Sequence, residues 1–368
     1  MTRPDARALF DDAIRTLLGD AMRLVARDPL AAASFAGILA HQKAAERRRL
    51  RHVQHGIPVP ALLILSVTQR CNLHCAGCYA GALHQDAGPE LSTTEMGSIL
   101  EQASELGVSI VLLAGGEPLT RGDLLELTRD RPDMMFALFT NGTLLHDEII
   151  RDLARQRHVI PVLSLEGHQI DTDTRRGEGI HARVLEKMGR LKDQGLFFGT
   201  SLTVTRQNYD VISDPAFAQD LIESGCHLFF FVEYVPTLPG TEFLVLTEAQ
   251  RAGLGQLITD LHDRLPGLFI SLPGDEELYG GCLAAGNGFV HIDSHGRLEP
   301  CPFAPWSDRS LREVPLADAL CSPFLAALRS SDVHLAETAG GCALWAHREE
   351  VTALLQANHV LTEPGPAL

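Results

Sequence analysis

The stretch RCNLHCAGCYA at residues 70–80 places three cysteines, Cys71, Cys75 and Cys78, within eight positions. It directly follows ALLILSV (61–67), an apolar run with the length and composition of a buried β-strand. Thiolates are good metal ligands, so three of them in one short loop indicate a metal or iron–sulfur site. The place of this loop in the fold decides where the chemistry of the chain occurs.

Beyond the loop, apolar runs typical of strands alternate with amphipathic segments typical of helices. Five further strands are predicted at 109–114, 134–140, 159–165, 197–204 and 227–235. Five helices are predicted between them at 91–106, 121–130, 144–155, 181–195 and 214–225. This alternation predicts parallel strands joined by right-handed crossovers. We therefore expect an α/β fold, a partial (β/α)6 TIM-like barrel over 60–240, with the reactive site at the C-terminal edge of the strands.

The predicted barrel lies between two regions of different pattern. Residues 1–55 are predicted to form an N-terminal helical arm, which could cover the barrel mouth or form a dimer contact. Residues 245–350 form a C-terminal α+β extension, in which GFVHIDSHGRLEPC (288–301) is predicted to be a β-hairpin turning at SHG. Residues 351–368 are a C-terminal tail.

The composition excludes several classes of partner. Lys and Arg number 31 against 47 Asp and Glu, a formal charge of −16, which argues against nucleic acid and anionic membranes. No apolar run reaches the ~18 residues of a membrane span, and the N-terminus lacks a signal-peptide core. We expect a cytoplasmic protein, in which eight cysteines indicate metal or redox chemistry rather than disulfides.

Two metal sites would explain the three clustered cysteines. Structural zinc prefers four ligands, and His74 lies awkwardly between Cys71 and Cys75 for tetrahedral closure. A cubane iron–sulfur cluster held by three cysteines leaves its fourth iron open to another ligand. A loop of unmodified thiols is the remaining alternative.

Cys-x3-Cys-x2-Cys after the first strand of such an array resembles the radical S-adenosylmethionine (radical SAM) superfamily. The resemblance implies that Cys71, Cys75 and Cys78 bind a [4Fe–4S] cluster whose open iron is chelated by S-adenosylmethionine. Electron transfer from an external reductant, a flavodoxin or ferredoxin, would then yield a 5′-deoxyadenosyl radical that abstracts hydrogen from a substrate. The family often has an aromatic residue before the third cysteine. Here that residue is Gly77, and Tyr79 could replace it near the adenine.

Motifs at the ends of the later strands extend the resemblance. AGGEP (114–118) resembles a family motif that contacts the methionine amino group, and SLEG (164–167) has Glu166 where the family usually has Asp. TNG (140–142) and RRGEG (175–179) follow at the same edge. The cofactor contacts implied at these edges are Gly115, Gly116, Glu117, Thr140, Asn141, Ser164, Glu166, Arg176 and Ser201.

A second set of cysteines lies in the C-terminal extension. Cys282 is followed by thirteen residues, Gly296, four residues and Cys301, a spacing that resembles the SPASM and Twitch auxiliary-cluster regions. The resemblance implies one auxiliary [4Fe–4S] cluster with Cys282, Cys301 and Cys342 as ligands. It would accept an electron from the substrate radical or bind the substrate.

Cys321 lies in LADALCSPFLAALR (316–329), which is predicted to be one amphipathic helix. A lone cysteine in such a helix is commonly a small buried apolar residue, and the alternative is a fourth auxiliary ligand. Glu233 and Tyr234 end the sixth strand and are candidate catalytic residues, because ionisable groups in an apolar strand are often functional. The alternative for Glu233 is a paired carboxylate in the core. Asp275 and Tyr279 are weaker candidates.

These features predict a radical SAM oxidoreductase that acts on a peptide or a small natural product. A non-catalytic iron–sulfur or zinc module is the first alternative, but it has no need of the GGEP and SLEG motifs. A glycyl-radical activase is the second, but the chain lacks the dense Cys-x2-Cys insertion typical of activases.

Overall fold

The computed structural model describes residues 6–26, 28–84, 88–272, 281–331 and 341–359. The candidates Asp275 and Tyr279 and the end of the C-terminal tail lie outside the described residues. The described strands are β1 (Leu62–Thr68), β2 (Ile110–Gly115), β3 (Met135–Thr140), β4 (Val159–Leu165), β5 (Phe198–Val204), β6 (Cys226–Glu233), β7 (Leu268–Ser271), β8 (Phe289–Ile292) and β9 (Leu298–Glu299).

The described α-helices alternate with the strands in the central part of the chain and flank them at both ends. They are α1 (Ala6–Val25), α2 (Pro29–Gln54), α3 (Tyr79–Leu83), α4 (Thr93–Leu106), α5 (Leu124–Arg129), α6 (Asp147–Arg155), α7 (Gln169–Arg176), α8 (Ile180–Asp193), α9 (Tyr209–Ile212), α10 (Pro215–Glu223), α11 (Glu248–Arg264), α12 (Leu316–Leu320), α13 (Pro323–Ser330), α14 (Ala343–Ala346) and α15 (Arg348–His359). Among them, none is long and apolar enough to cross a membrane.

All the described strands belong to one sheet, in the order β7-β6-β5-β4-β3-β2-β1-β8-β9. Every neighbouring pair is parallel except β8 and β9, which pair antiparallel. The predicted partial barrel is confirmed as an open, unclosed parallel sheet with helices. It is also wider than expected, because β7 extends it beyond β6 and β8 extends it beyond β1.

The two faces of the sheet pack against different partners. In β1, Leu63, Leu65 and Val67 belong to the core that includes the outer helices, whereas Leu62 and Ile64 belong to a second core shared with α1 and α2. The alternation follows from the two-residue period of a strand. The face that carries Leu62 and Ile64 is the inner face of the open barrel.

The N-terminal helices pack at the edge of the sheet where the strands begin. Arg49 Nη1 of α2 donates to Gly107 O at 2.6 Å, and Gln42 Nε2 donates to Ser109 O at 3.3 Å, just before β2. The ring of Phe35 lies 5.0 Å from that of Phe197, which precedes β5. The described helices of the arm therefore lie at the edge opposite the barrel mouth.

Local signals explain several element boundaries. A capping box begins α4, in which Glu95 N donates to Ser92 Oγ and Ser92 N donates to Glu95 Oε2 at 2.7 Å. The predicted hairpin is confirmed as β8 and β9. The helix predicted over 316–329 is instead divided into α12 and α13, because Pro323 begins a new helix capped by Ser322.

Candidate active site

The cysteine loop leaves the C-terminal end of β1, at the edge where the parallel strands end. Cys71 is exposed, and Cys75 and Cys78 are half-buried. Burial raises the pKa of the Cys71 and Cys75 thiols, although Leu73 N donates to Cys71 Sγ at 3.4 Å and lowers the pKa of Cys71 slightly. Raised thiol pKa values mean that a bound cation must displace the protons for these groups to become thiolate ligands.

Contacts to the turn after β3 and to the end of α7 hold the loop in place. Asn141 Nδ2, after β3, donates to Asn72 Oδ1 at 2.9 Å, and Asn72 Nδ2 donates to Thr143 Oγ1 at 2.8 Å. Ala76 N donates to Arg175 O at 2.8 Å, so the loop is also joined to the end of α7. The TNG turn predicted to contact cofactor thus braces the cysteine loop directly.

The two glycines of the GGEP stretch allow the backbone of the cysteine loop to pass close to the end of β2. A Cβ atom on Gly115 would overlap Thr68 O, and one on Gly116 would overlap Arg70 O. Gly115 has a φ of 122°, a conformation that favours glycine. The close backbone approach that these glycines allow is therefore to residues 68–70 of the same chain, immediately before Cys71.

Glu117 joins the GGEP turn to the TNG turn. Its carboxylate accepts hydrogen bonds from Thr140 Oγ1 at 2.8 Å, Leu119 N at 3.0 Å and Asn141 N at 2.7 Å. Burial raises the pKa of Glu117, and these three bonds partly offset the effect. The predicted residues Glu117, Thr140 and Asn141 form one connected group.

Glu166 forms a buried charged group with two arginines beside the cysteine loop. Its Oε1 lies 2.6 Å from Arg175 Nη1 and 2.5 Å from Arg176 Nη2, and all three residues act electrostatically on Cys75. Glu166 Oε2 and Arg175 Nε are buried and have no hydrogen-bond partner among the described residues. The group therefore retains one unused acceptor and one unused donor next to the cysteines.

Ser164 and Ser201 face the interior of the open barrel. They are register partners on β4 and β5, and Ser164 has the same parity as Ile160 and Val162 of the inner core. The structure thus places both hydroxyls on the inner face, and their contact with the cofactor stays a prediction.

Tyr234 reaches across the barrel from the end of β6 to the cysteine loop. Its side chain is 2% exposed, and a Cβ on Gly77 would lie 2.6 Å from its hydroxyl oxygen. The hydroxyl is buried and has no hydrogen-bond partner among the described residues. An aromatic ring from another strand therefore occupies the space beside Gly77.

Comparison with known proteins places this geometry in a family. Residues 65–213 match the model of the radical SAM superfamily. These residues are therefore a radical SAM domain, and the chain is a radical SAM enzyme. The AdoMet-dependent heme synthase of Methanosarcina barkeri is 29% identical over 70% of this chain and 81% of that protein.

Other relatives of the radical SAM enzyme also align over most of their length. The mycofactocin maturase MftC of Mycobacterium ulcerans is 27% identical over 80% of this chain and 86% of its own. The structure of Streptococcus suis SuiB bound to the precursor peptide SuiA superposes with a TM-score of 0.63 at 22% identity, covering 78% of this chain and 71% of that one. The likeness to SuiB shows a shared fold only.

Glu233, the other candidate catalytic residue of this radical SAM enzyme, is committed to an ion pair. Its carboxylate is fully buried and lies 2.5 Å from Arg251 Nη2. A Cβ on Gly341 would lie 2.6 Å from the Glu233 carboxyl carbon, so the segment that carries Cys342 packs directly on this pair. Sequence reasoning missed Arg251, because no local pattern links α11 to the end of β6.

Tyr79 packs against the C-terminal cysteine region. Its ring lies 4.7 Å from the ring of Phe303, two residues after Cys301, and burial raises the pKa of its hydroxyl. Cys78 and Cys301 both act electrostatically on that hydroxyl. Its predicted contact with adenine stays a prediction, and the structure places Tyr79 between the two cysteine regions.

The C-terminal cysteines differ in exposure. Cys301 and Cys342 are buried, and Cys282 is half-buried. Cys321 is exposed at the break between α12 and α13, with its sulfur 4.0 Å from Gly56 O. The expectation that Cys321 is a buried apolar residue was wrong, because Pro323 ends the predicted helix and leaves the thiol at the surface.

The residues around the cysteine loop fit the implied cofactors. Three thiols can hold three irons of a cubane cluster, which leaves one iron for another ligand. The amino and carboxylate groups of S-adenosylmethionine need an acceptor and a donor, and Glu166 Oε2 and Arg175 Nε are buried polar atoms of those two kinds. Tyr234 Oη provides a third unused polar atom at the same loop.

Proposed function

We propose that this radical SAM enzyme binds a [4Fe–4S] cluster through Cys71, Cys75 and Cys78 and abstracts hydrogen from a peptide or small natural-product substrate. The observation that carries the proposal is the three-cysteine loop at the C-terminal strand edge, bordered by buried polar atoms that find no partner within the described part of the chain. When bound, the cluster and S-adenosylmethionine supply a 5′-deoxyadenosyl radical, using an electron from a flavodoxin or ferredoxin.

The chain's own residues orient the cofactor. Glu166 would accept a hydrogen bond from the amino group of S-adenosylmethionine. Arg175 and Arg176 would neutralise the carboxylate of S-adenosylmethionine. Tyr234 lies in the space that Gly77 leaves open, and its hydroxyl would donate a hydrogen bond to the bound cofactor. The inner-face hydroxyls of Ser164 and Ser201 would contact the ribose or the substrate.

The names of the relatives support the substrate class of this proposal. Their names describe a heme synthase, a mycofactocin maturase and a PqqA peptide cyclase, and SuiB was crystallised with its precursor peptide. Two of these descriptions name a peptide, and another names heme, a small molecule. We infer the same class here and place the substrate in the open inner face of the sheet, opposite the end that α1 and α2 cover.

We further propose that Cys282, Cys301 and Cys342 hold an auxiliary cluster. Loss of a hydrogen atom leaves a substrate radical, and loss of one more electron and a proton completes a two-electron oxidation. The auxiliary cluster would accept that electron. Glu233 and Arg251 then position Gly341 and Cys342, so we assign Glu233 a positioning role in preference to proton transfer.

Iron content and cofactor cleavage test the proposal together. Protein reconstituted without oxygen should hold about eight irons per chain, and a Cys71/Cys75/Cys78→Ala variant should hold about four and form no 5′-deoxyadenosine. About four irons in the wild type, all lost in the variant, would contradict the auxiliary cluster. Zinc in place of iron would support the non-catalytic module, and transfer of a radical to a partner protein's glycine would support the activase.

A further inference from the structure

Three buried side chains from separate segments converge outside both cysteine sets. His84 follows α3, His291 lies on β8 and Glu299 lies on β9. One ring nitrogen of each histidine and one carboxylate oxygen lie within 4.8 Å of one another. The side chains are almost completely buried, with exposures of 6%, 0% and 0%. Polar groups buried to this extent need partners, so the arrangement requires an explanation.

The hydrogen bonds of His84 leave one ring nitrogen without a partner. Nε2 lies 2.9 Å from Pro302 O, and because a carbonyl can only accept, Nε2 carries the proton. Nδ1 then has a lone pair, and it is buried with no hydrogen-bond partner among the described residues. A buried acceptor in this state is costly unless something else binds to it.

The hydrogen bonds of His291 have a similar form. Nε2 lies 2.8 Å from Ser66 Oγ, and Nδ1 lies 2.7 Å from Glu299 Oε2. At 2.7 Å a proton must lie between Nδ1 and the Glu299 carboxylate, and Nδ1 becomes a ligand atom when a cation replaces that proton and Nε2–H donates to the serine hydroxyl. Arg297 is the nearby cation, with Nη2 3.9 Å from Glu299 Oε1, but its Nε is bonded to Asp293 Oδ2 at 2.7 Å.

We propose that His84, His291 and Glu299 bind a divalent transition-metal ion such as Zn²⁺. Two imidazoles and one carboxylate favour this class of metal, whereas Mg²⁺ and Ca²⁺ prefer ligand sets made of oxygen. The outer nitrogens already have the partners that ligating histidines usually have, a backbone carbonyl for His84 and a hydroxyl for His291. The ion replaces the proton that His291 and Glu299 share and gives His84 Nδ1 its partner.

The position of the site gives the ion a structural role. His84 ends the segment that carries Cys78, and Glu299 lies two residues before Cys301. An ion shared between them fixes the separation of the cysteine loop and the C-terminal cysteines. The neighbouring contact of Tyr79 with Phe303 joins the same two segments.

Zinc content of the reconstituted protein tests the site. Iron–sulfur-loaded protein is treated with a chelator, incubated with Zn²⁺, desalted and analysed by mass spectrometry for metals. We expect about one zinc per chain, reduced at least tenfold in His84→Ala and in Glu299→Gln. His295→Ala is the matched control, since His295 lies in the same hairpin but bonds Gln69 and Pro89, and it should keep the zinc.

Co²⁺ distinguishes this site from the cysteines. Cobalt bound by nitrogen and oxygen shows visible d–d bands without thiolate charge-transfer absorption. Equal zinc in wild type and His84→Ala, or cobalt with thiolate absorption, would overturn the proposal. If Glu299→Gln fails to fold, His84→Ala still decides. Zn²⁺ should raise the thermal unfolding temperature of the wild type and leave that of His84→Ala unchanged, and an equal rise in both would also contradict the site.

Discussion

The two cysteine regions of this enzyme are built in different ways. Cys71, Cys75 and Cys78 come from one loop after one strand, and contacts from the ends of β2, β3 and α7 brace that loop. Cys282, Cys301 and Cys342 are spread over sixty positions and lie in separate segments. The first site is encoded by local spacing, whereas the second depends on how the C-terminal extension folds onto the barrel. Variants should therefore affect the two regions separately.

The largest expected effect follows removal of a cysteine from the loop. Cys75→Ala should reduce 5′-deoxyadenosine formation below detection and remove about four irons per chain, because the cluster loses one of its three thiolates. Liquid chromatography of the nucleoside product and iron analysis measure both effects. Cys226→Ala is the control, since Cys226 is buried in β6 with a thiol pKa raised to about 12 by burial, and it should keep cluster and activity.

One buried carboxylate lies beside each cysteine region, so variants of the two allow a direct comparison. Glu166 pairs with Arg175 and Arg176 beside the loop, and Glu233 pairs with Arg251 beside Gly341. Glu166→Gln and Glu233→Gln should each lower the free energy of unfolding by about 3 kcal/mol, because each leaves buried arginine charge unpaired. Chemical denaturation measures the loss.

The same two variants should differ in function. Glu166→Gln should weaken S-adenosylmethionine binding about tenfold, since it removes one charge-assisted hydrogen bond. Glu233→Gln should instead reduce the iron held by the C-terminal cysteines. If Glu233→Gln abolished substrate conversion while both clusters stayed fully loaded, Glu233 would be a catalytic acid or base and our positioning role would be wrong.

A smaller effect is expected where the loop passes the end of β2. Gly116→Ala should lower the free energy of unfolding by about 2 kcal/mol and reduce iron loading of the loop, because its Cβ would overlap Arg70 O. Gly189→Ala is the matched control. Gly189 lies in α8 with no atom within 4 Å of the added Cβ, and alanine there should stabilise the helix by about 0.5–1 kcal/mol. Equal stability of the two variants would contradict the close approach.

The contrast between the regions also explains what the sequence could predict. The six strands of the barrel and the three-cysteine loop follow from apolar runs and from spacing within eleven residues. The additions of β7 and β8 to the sheet could not be predicted, because strands this short acquire partners only through tertiary packing. The same holds for the Glu233–Arg251 pair and for the meeting of His84 with His291, which join positions far apart in the chain.

The smallest expected effect tests whether Cys321 is a cluster ligand together with the other C-terminal cysteines. Cys321 is exposed at the break between α12 and α13, and its sulfur lies near Gly56 O, in the linker before β1. Cys321→Ser should therefore leave iron content unchanged and alter the free energy of unfolding by less than about 0.5 kcal/mol. Cys342→Ser is the comparison variant and should lose the auxiliary iron. Equal iron loss in the two variants would make Cys321 the fourth ligand and would require α12 to move toward the other cysteines when the cluster binds.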